Sequence, residues 1–408
     1  TGDPMDVLSS IIAETGATAV YWNRRYEKRG IDIDASIKST LKERRIEAVS
    51  HRGNVLYEPW RVSNKQGEPC RVFTPFWRAA LETGHPEPPL PAPDVLTGPK
   101  EQPKSEKLED WGLLPTKPDW AGGLRESWQP GEAGAMARFE EFLDTGLTGY
   151  ADLRDRPDLP HTSRLSPFLR FGEISPNQIY HAIDHANARG EIKDRDARKF
   201  LSEIGWREFS HHLLYHFPTL PHRNLQRRFD GFPWADDDAS FIAWTKGMTG
   251  YPIIDAGMRQ LWQTGWMHNR VRMIVASFLT KHLLIHWRHG EDWFWDTLVD
   301  ADPASNSASW QWTAGSGADA APYFRVFNPI TQGEKFDETG DYVRKWCPEL
   351  ARLPRKYLYQ PWEAGPLILQ EAGIKLGETY PHPIVAHKEG RERALAAYET
   401  LKERRDAA

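Results

Sequence analysis

The chain has 408 residues, of which 39% are hydrophobic and 27% charged, and its formal net charge is −5. This length allows two or more domains with their own cores, and no apolar run approaches the ~20 residues of a membrane span. The charge excludes general attraction to nucleic acid, so any such contact must be a local patch. Cys70 and Cys347 are the only cysteines. They predict no disulfide framework and no metal site, and they favour a reducing cytoplasm.

The first 62 residues have the pattern of a small α/β domain. Short apolar runs at Thr18–Trp22, Glu47–Ser50 and Val55–Leu56 predict strands, and Ile33–Arg45 is an amphipathic helix between them. A parallel sheet needs several βαβ units of ~30 residues, and only about two fit in this stretch. We therefore predict a partial Rossmann-like α/β domain with a parallel sheet over residues 1–62.

Residues 63–130 are a predicted interdomain linker, because they are rich in proline and lack periodicity apart from one helix at Pro75–Leu81. From residue 131 onward the pattern is helical. Ser166 and Ser175 each precede a proline, which predicts two N-cap hydroxyls with Pro at the first helical position. The predicted fold class is multidomain α and β: a partial α/β domain, a long linker and a large all-helical domain over residues 131–408.

Two tryptophans flank one glutamine in the segment Asp300–Pro329, which reads DADPASNSASWQWTAGSGADAAPYFRVFNP. Tryptophan combines a large π-face with one N–H donor, so this pair in a Gly/Ala/Ser-rich stretch predicts aromatic surfaces for a flat, conjugated ligand. The alternative is that both rings are anchors in a core or an interface. If the segment is helical, Trp310 and Trp312 point about 160° apart and serve different partners.

Hydroxyls and an arginine precede a predicted helix start in Thr162–Pro167, TSRLSP. Helix N-termini favour phosphate because of their free N–H groups and their dipole, although simple capping is the alternative. In Phe200–His211, Glu203 is three residues from Trp206 and four from Arg207. These side chains form either a surface ion pair beside a buried ring, or the carboxyl, aromatic and guanidinium lining of one cavity.

The stretch Gly265–Leu283, GWMHNRVRMIVASFLTKHL, is predicted to be a helix with two different faces. Its apolar side chains lie on one side, and the opposite face carries an amide, a guanidinium and a thioether. That polar face consists of Trp266, Asn269, Arg270 and Met273. Arg272 points away from it and needs a carboxylate or phosphate partner, for which Asp300 and Asp302 are candidates.

Several of these motifs occur together in one known family. TSRLSP, WREF, TGYPIIDAGMRQL, TGWMHNRVRM, the WQW segment and TQGEKFD closely resemble the photolyase/cryptochrome flavoproteins, in particular the cyclobutane pyrimidine dimer (CPD) photolyases. The resemblance runs from Val62 nearly to the C-terminus, and Thr1–Trp60 resembles only the second part of the family's N-terminal α/β domain. It implies a light-dependent deoxyribodipyrimidine photo-lyase in which excited FADH⁻ donates an electron to a dimer flipped out of DNA.

The resemblance also implies roles for individual residues around FAD. The positions that match diphosphate contacts are Tyr150, Thr162, Ser163, Arg164, Leu165 and Ser166. Those that match the surroundings of the isoalloxazine and ribitol are Phe200, Arg207, Arg272, Asp300, Asp302 and Asn306. Asn306 is expected to face flavin N5, and an amide there favours the fully reduced anionic flavin over a neutral radical because it cannot supply a proton.

Further positions match the family's substrate and electron-transfer residues. The aromatic plates for the dimer are Trp206 and Trp312, and the remaining walls are Glu203, Asn269, Arg270 and Met273. Arg154 is a predicted phosphate contact, together with Arg223, Arg227 and Arg228. Trp310, Trp287 and Trp234 match the chain that reduces the flavin after light absorption. The other tryptophans of this region are expected in the core: Trp262, Trp266, Trp293 and Trp295.

Other functions stay open at this point. A cryptochrome would sense blue light without repair, and a Trp-rich helical interaction module would bind no cofactor. A (6-4) photolyase is disfavoured because that group carries a second histidine where this chain has Asn269. We expect CPD-containing DNA as the partner, a cytoplasmic monomer without membrane contact, and a second antenna chromophore for which methenyltetrahydrofolate is favoured over a deazaflavin.

Overall fold

The N-terminal part of the chain contains a two-stranded parallel sheet. The computed structural model describes residues 1–99, 101–320, 323 and 325–406, with side chains up to residue 401. Strand β1 (Ala19–Asn23) pairs in parallel with β2 (Glu47–His51). Helix α1 (Pro4–Thr15) precedes β1, and helix α2 (Lys28–Glu43) connects the two strands. The first two predicted strands and the helix between them are therefore confirmed.

The third predicted strand, at Val55–Leu56, is wrong. The segment is buried but irregular. The N–H groups of Leu56 and Tyr57 both donate to the Glu208 carboxylate, at 2.7 and 3.1 Å. A side chain of the helical part therefore satisfies this backbone where a neighbouring strand was expected.

The proline-rich region contains two short α-helices, α3 (Phe73–Glu82) and α4 (Gly122–Ser127). Helix α3 confirms the one helix predicted there. From residue 132 the described chain is helical, with only two isolated β-bridges outside the sheet. The helices are α5 (Glu132–Glu141), α6 (Tyr150–Leu153), α7 (Ser166–Phe171), α8 (Pro176–Ala188), α9 (Asp194–His216), α10 (Asp238–Thr245), α11 (Pro252–Thr264), α12 (Asn269–Ser277), α13 (Trp287–Thr297), α14 (Pro303–Ala314), α15 (Pro329–Phe336), α16 (Asp341–Trp346), α17 (Pro366–Ala372) and α18 (His387–Asp406). None of the described helices combines the length and apolar composition needed to cross a membrane.

One of the two predicted N-caps is confirmed. Ser175 caps α8 by accepting from the Gln178 N–H at 3.1 Å, and Gln178 Oε1 accepts in return from the Ser175 N–H at 2.8 Å. Ser166 is not a cap, because α7 begins at Ser166 itself and its hydroxyl donates to Asp300 Oδ2 at 2.6 Å. A hydrogen bond to a carboxylate is stronger than one to a neutral group, so it wins over capping.

Helices α13 and α14 pack closely because α13 contains a glycine. A Cβ added at Gly290 would lie 2.1 Å from Trp310 Cη2, so only a residue without a side chain lets this ring lie directly on the α13 backbone. Trp310 is 2% exposed and meets Phe294 of α13 edge to face, with ring centroids 5.0 Å apart. The segment around the two tryptophans is thus helical, which is the condition under which Trp310 and Trp312 point about 160° apart.

The four tryptophans expected in the core differ in their burial. Trp266 is buried, which confirms the expectation for that residue. Trp262 is 66% and Trp295 50% exposed, so the expectation is wrong for both. Trp293 is half-buried and stacks on Trp262 with ring centroids 6.0 Å apart. Trp293 also packs against the main hydrophobic core, so the expectation holds for it in part.

Candidate active site

Asp300 joins the start of α7 to α12. Arg272 Nη1 and Nη2 donate to the Asp300 carboxylate, at 3.1 and 2.7 Å, and Ser166 Oγ donates to the same group. Arg272 Nε also donates to the Met267 carbonyl at 2.7 Å. The prediction that Arg272 needs an acidic partner is confirmed, and that partner is Asp300. The TSRLSP segment is thereby tied to the helix that carries Asn269 and Met273.

Asp302 has different partners, although it is only two residues away. One of its oxygens accepts from the Ser305 N–H at 2.7 Å and caps α14. The other lies 3.8 Å from His211 Nε2, on α9. His211 Nδ1 lies 3.1 Å from the Arg207 carbonyl oxygen. Asp302 therefore fixes the start of α14 against α9.

Arg164 has unusual surroundings within the TSRLSP segment. Its φ of 54° is in the left-handed region, which is uncommon for a residue with a side chain. The guanidinium carbon lies 4.6 Å from the ring centroid of Trp128 and 4.9 Å from that of Trp266. Its buried Nε has no hydrogen-bond partner among the described residues. Burial, together with Arg138, lowers the pKa of Arg164 to about 10. The site thus offers a partly buried cation that forms no ion pair within 4 Å among the described residues, although Glu141 acts on it from a longer distance.

Two predicted cofactor positions lie in the hydrophobic interior. Tyr150 and Phe200 are buried and meet edge to face, with centroids 5.3 Å apart, and both pack against Phe142. The guanidinium carbon of Arg154 lies 5.6 Å over the Tyr150 ring. Tyr150 and Phe200 therefore support Arg154 from behind. Thr162 and Ser163 are half-buried in the segment that precedes α7, and Leu165 is buried.

A row of alternating charges, here called the polar wall, consists of Glu203, Arg154, Asp155 and Arg270. Glu203 pairs with Arg154, and Arg270 Nη2 donates to Asp155 Oδ2 at 2.7 Å. Arg154 Nε lies 3.8 Å from Asp155 Oδ1 and links the two pairs. Burial acts to raise the pKa of Asp155, but the hydrogen bond and charge of Arg270 outweigh it, so this pKa is lowered. The wall thus keeps both carboxylates beside cations.

The ion pair between Glu203 and Arg207, one reading of the helical spacing, is not formed. Glu203 instead pairs with Arg154 and with Lys199, whose Nζ lies 3.0 Å away. Arg207 reaches the Asn54 carbonyl oxygen in the N-terminal part. Competition from better-placed tertiary partners explains the difference, because an exposed i,i+4 pair stabilises by only a few tenths of a kcal/mol.

The two predicted aromatic plates are accessible in part. Trp206 and Trp312 are both half-buried. Phe73 stacks flat on Trp206, with centroids 3.9 Å apart and planes 8° apart, so one face of that indole is already covered. On α12, Asn269 is exposed and Met273, one turn later, is half-buried. The predicted helical face is wrong for Trp266, because α12 begins only at Asn269 and His268 caps it.

A cavity of about 670 Å³ adjoins the polar wall, with which it shares Asp155 and Arg270. Its lining combines cationic groups and aromatic rings with three carboxylates, those of Asp152, Asp155 and Glu338. The guanidinium carbon of Arg270 lies 4.4 Å over the Phe336 ring. Such a mixture suits phosphates and bases of a nucleic acid. Further lining residues are Arg156, Arg325, Lys335 and Phe327. The predicted phosphate contacts Arg223, Arg227 and Arg228 are exposed but are not among the lining residues.

Asn306 is buried where α14 faces α13. Its Nδ2 donates to the Glu291 carbonyl oxygen at 3.0 Å, which leaves the second N–H and the amide oxygen for other partners. Ser307 donates to the carboxyl group of Glu291. Burial raises the pKa of Glu291 to about 7, and the Ser307 hydrogen bond opposes this rise. The amide of Asn306 is therefore held in one orientation.

Aromatic rings lead from the interior to a less buried position. Trp287 is fully buried, and its Nε1 donates to Asn224 Oδ1 at 2.9 Å. The His286 ring lies between Trp287 and Trp234, with centroids 5.4 and 5.0 Å away. Trp234 is half-buried. Trp310 and Trp287 lie on the neighbouring helices α14 and α13, which are in contact.

Sequence reasoning missed several residues of this region. Gln311, between the two tryptophans, donates to the carbonyls of Leu220 and Arg223 and accepts from the Leu225 N–H. Its position between the two tryptophans was the signal available in the sequence. Asp155 directly follows Arg154, whereas nothing in the sequence pointed to Glu291 or Trp128. Ala321, Pro322 and Phe324 of the WQW segment lie outside the described residues. No group of three potential metal ligands occurs among the residues described.

The chain is similar to known proteins over most of its length. The family described as the FAD binding domain of DNA photolyase matches residues 200–400, and the family described as DNA photolyase matches residues 1–94. A deoxyribodipyrimidine photo-lyase of Agrobacterium fabrum is 56% identical over 402 residues, which cover 98% of this chain and 84% of that protein. Cryptochrome-1 of Arabidopsis thaliana is 37% identical, over 96% of this chain and 58% of that protein.

A solved structure agrees with the sequence comparison. The crystal structure of a bacterial class III photolyase from Agrobacterium tumefaciens has a TM-score of 0.96 with this fold, at 56% identity, and the match covers 98% of this chain and 83% of that one. A Synechocystis cryptochrome structure has a TM-score of 0.80 at 29% identity, with 97% and 82% covered. The chain therefore belongs to the photolyase/cryptochrome family, on its DNA photolyase branch.

Proposed function

We propose that this protein uses blue light and FAD to split cyclobutane pyrimidine dimers in UV-damaged DNA. The observation that carries the proposal is the unequal placement of side chains on α14. Asn306 and Trp310 are buried toward α13, whereas Trp312 is half-buried. One helix thus offers an interior side for a cofactor and a more open side for a substrate.

The residues present fit FAD. The Arg164 guanidinium, desolvated and without a partner at Nε, suits the negatively charged diphosphate. Asp300 holds Ser166 and Arg272 together, so the loop that carries Arg164 is fixed relative to α12. When bound and reduced, FAD supplies the light-excited electron that opens the cyclobutane ring.

Asn306 would orient the flavin. One N–H of its Nδ2 binds the Glu291 carbonyl and orients the amide, and its oxygen is the atom that can accept a hydrogen bond from a flavin N–H. Such an acceptor matches reduced flavin, which carries a proton at N5. Trp310, Trp287 and Trp234 would pass an electron inward from the less buried end. The ring of His286 between the last two keeps them in aromatic contact.

The substrate would lie between the aromatic plates and the polar wall. Trp312 and the open face of Trp206 can each stack a base, worth ~1–3 kcal/mol. Glu203 and Asn269 can hydrogen-bond base edges, while Arg270 and Met273 line the pocket. Arg154 holds Glu203 in place through its ion pair. The cavity beyond Arg270 would receive the adjoining phosphates of the damaged strand.

A second chromophore, with methenyltetrahydrofolate favoured over a deazaflavin, stays a prediction, as do the monomeric state and the cytoplasmic setting. A cavity of about 240 Å³ lies between the N-terminal part and the helices and is lined by Asn23, Asn54, Met136 and Gln178 among others. It is the place where we would search for an antenna. Its volume is below the ~300 Å³ at the lower end of ligand pockets, so side chains would have to move.

The test uses purified protein with reduced flavin and an oligonucleotide that contains one CPD. We expect the dimer to disappear under blue light but not in the dark, and an oligonucleotide with a (6-4) photoproduct to stay unrepaired. Bound flavin without CPD repair in light would replace the proposal with a cryptochrome-type receptor. Protein that releases no flavin on acid treatment would overturn both readings.

A further inference from the structure

The end of the linker contacts the segment proposed to bind the FAD diphosphate. Trp128 follows the last residue of α4 and is the C-cap of this helix. Trp128 precedes Arg164 in the sequence and Trp266 follows it. Both rings contact the Arg164 guanidinium, whose carbon lies 4.6 Å from the Trp128 centroid and 4.9 Å from the Trp266 centroid. We call these two rings the aromatic clamp. A planar guanidinium in contact with two indole rings is restricted to few orientations.

The position of Trp128 is itself fixed. Its Nε1 donates to the Thr264 carbonyl oxygen at 2.7 Å, and its ring meets Phe168 edge to face with centroids 6.1 Å apart. Thr264 is the last residue of α11, and Phe168 lies in α7. The ring is therefore held by the helix that follows the TSRLSP segment and by the end of a second helix.

Helix α4 lies directly on the end of α11. A Cβ added at Gly123 would be 2.2 Å from the Gln263 carbonyl oxygen, so glycine is required for this approach. Leu124 packs at the Gly265 turn, where an added Cβ would be 2.7 Å from its Cδ2. The linker thus ends in a docked helix, and Trp128 emerges from it toward Arg164.

We propose that Trp128 is a positioning residue that fixes the Arg164 guanidinium for the diphosphate of FAD, so that the end of the linker helps to retain the cofactor. The inference rests on the proposed flavin function. Arg164 has a strained backbone and no partner for its Nε among the described residues, so the clamp accounts for its placement. Without Trp128, one face of the guanidinium would be open to water and its rotamers less restricted.

The test measures the affinity of flavin-free protein for FAD and for ADP, which carries the diphosphate without the flavin. Replacing Trp128 by Ala should raise the Kd for both about tenfold, the scale of a desolvated cation–π contact. Trp128→Phe keeps an aromatic face but loses the bond to Thr264, so its Kd should stay within about threefold of the wild type. The matched control is Trp120→Ala, which removes an exposed linker tryptophan and should change neither affinity.

A double-mutant cycle separates positioning from general stability. If Trp128 acts through Arg164, Trp128→Ala should have no further effect on FAD affinity in an Arg164→Ala background. Equal losses with and without Arg164, or a Trp128→Ala protein that binds FAD as the Trp120→Ala control does, would overturn the inference. Wild-type protein that binds no FAD would instead overturn the proposed function, so the two failures are distinguishable.

Discussion

At the scale of single residues, three consecutive side chains of α14 have three different surroundings. Trp310 is buried against Gly290, Gln311 is held by hydrogen bonds to the chain at residues 220–225, and Trp312 is half-buried. A helix turns 100° per residue, so neighbouring positions face different parts of the molecule. This geometry is consistent with the proposed function, in which Trp310 serves the cofactor and Trp312 the substrate.

Trp312 is expected to bind the dimer without serving the flavin. Replacing it by Ala should weaken binding of CPD-containing DNA about tenfold, because one base loses its stacking partner. Photoreduction of bound FAD should keep its wild-type rate. Trp262→Ala, which also removes a surface tryptophan, is the control and should change neither quantity. Unchanged dimer affinity in the Trp312 variant, measured by titration of labelled oligonucleotide, would remove Trp312 from the substrate site.

Individual partners were predictable only where few candidates existed. Arg272 required an acidic group, and Asp300 provides it. The spacing of Glu203 and Arg207 permitted an ion pair, but both side chains have partners distant in sequence, Arg154 and Asn54. Helical spacing reports neighbours on one element only, so contacts between elements cannot be read from it.

At the scale of elements, the junction of α13 and α14 concentrates buried polar groups. The Glu291 carbonyl and carboxyl groups bind Asn306 and Ser307 respectively, one turn before Trp310. A buried carboxyl group with a pKa of about 7 is held largely as the neutral acid below that pH. The protonation state of the Glu291 carboxyl group therefore influences stability and the hydrogen bond from Ser307.

Glu291 should make stability depend on pH. Because its folded pKa, about 7, lies above the unfolded value of 4.5, the native state binds the proton more tightly, and stability falls as pH rises from 4.5 to 7. Glu291→Gln should lose this dependence and be more stable than wild type at pH 8, by at most about 3 kcal/mol. Chemical denaturation at several pH values provides the measurement.

The control for this prediction is Glu363→Gln, at an exposed position, which should follow the wild-type curve. Burial also raises the pKa of Glu208 to about 7, so the difference between variant and wild type, and not the slope alone, isolates Glu291. A difference that stays constant from pH 4.5 to pH 8 would show that Glu291 does not titrate in this range.

Elements were more predictable than their contacts. The helices of residues 131–406 and the two strands follow from periodicity, caps and proline positions. The strand predicted at Val55–Leu56 is not formed, because two apolar residues fit a strand and a buried loop equally well. The N-cap predicted at Ser166 is wrong, because the carboxylate of Asp300, 134 residues away, binds its hydroxyl. Local patterns cannot detect such competition.

At the scale of the whole molecule, α9 connects the N-terminal part to the site. Glu208 accepts the N–H groups of Leu56 and Tyr57, and Arg207 donates to the carbonyl of Asn54. On the same helix, His211 approaches Asp302 and Glu203 joins the polar wall. The fold class and the family were predictable from motifs, whereas this connection depends on the folded arrangement of distant segments.

Glu208 should hold the two parts together. Replacing it by Ala leaves two buried N–H groups without an acceptor, each costing about 1–3 kcal/mol. Hydrogen exchange at Leu56 and Tyr57 should therefore accelerate roughly tenfold or more. Glu82→Ala, at an exposed position at the end of α3, serves as the control. Protection factors at both amides that match the wild type would show that other groups fix this segment.

The most direct test of the account compares the repair rate of the Trp310→Phe protein from two starting states of its flavin. Phenylalanine is much harder to oxidise than tryptophan, so electron supply to the flavin should fail while the substrate side of α14 stays intact. With chemically reduced FAD, we predict CPD repair under blue light at the wild-type rate. With oxidised FAD, repair should begin only slowly. Equal repair from both states, or loss of repair with reduced FAD, would contradict the proposal that Trp310 serves the flavin and Trp312 the substrate.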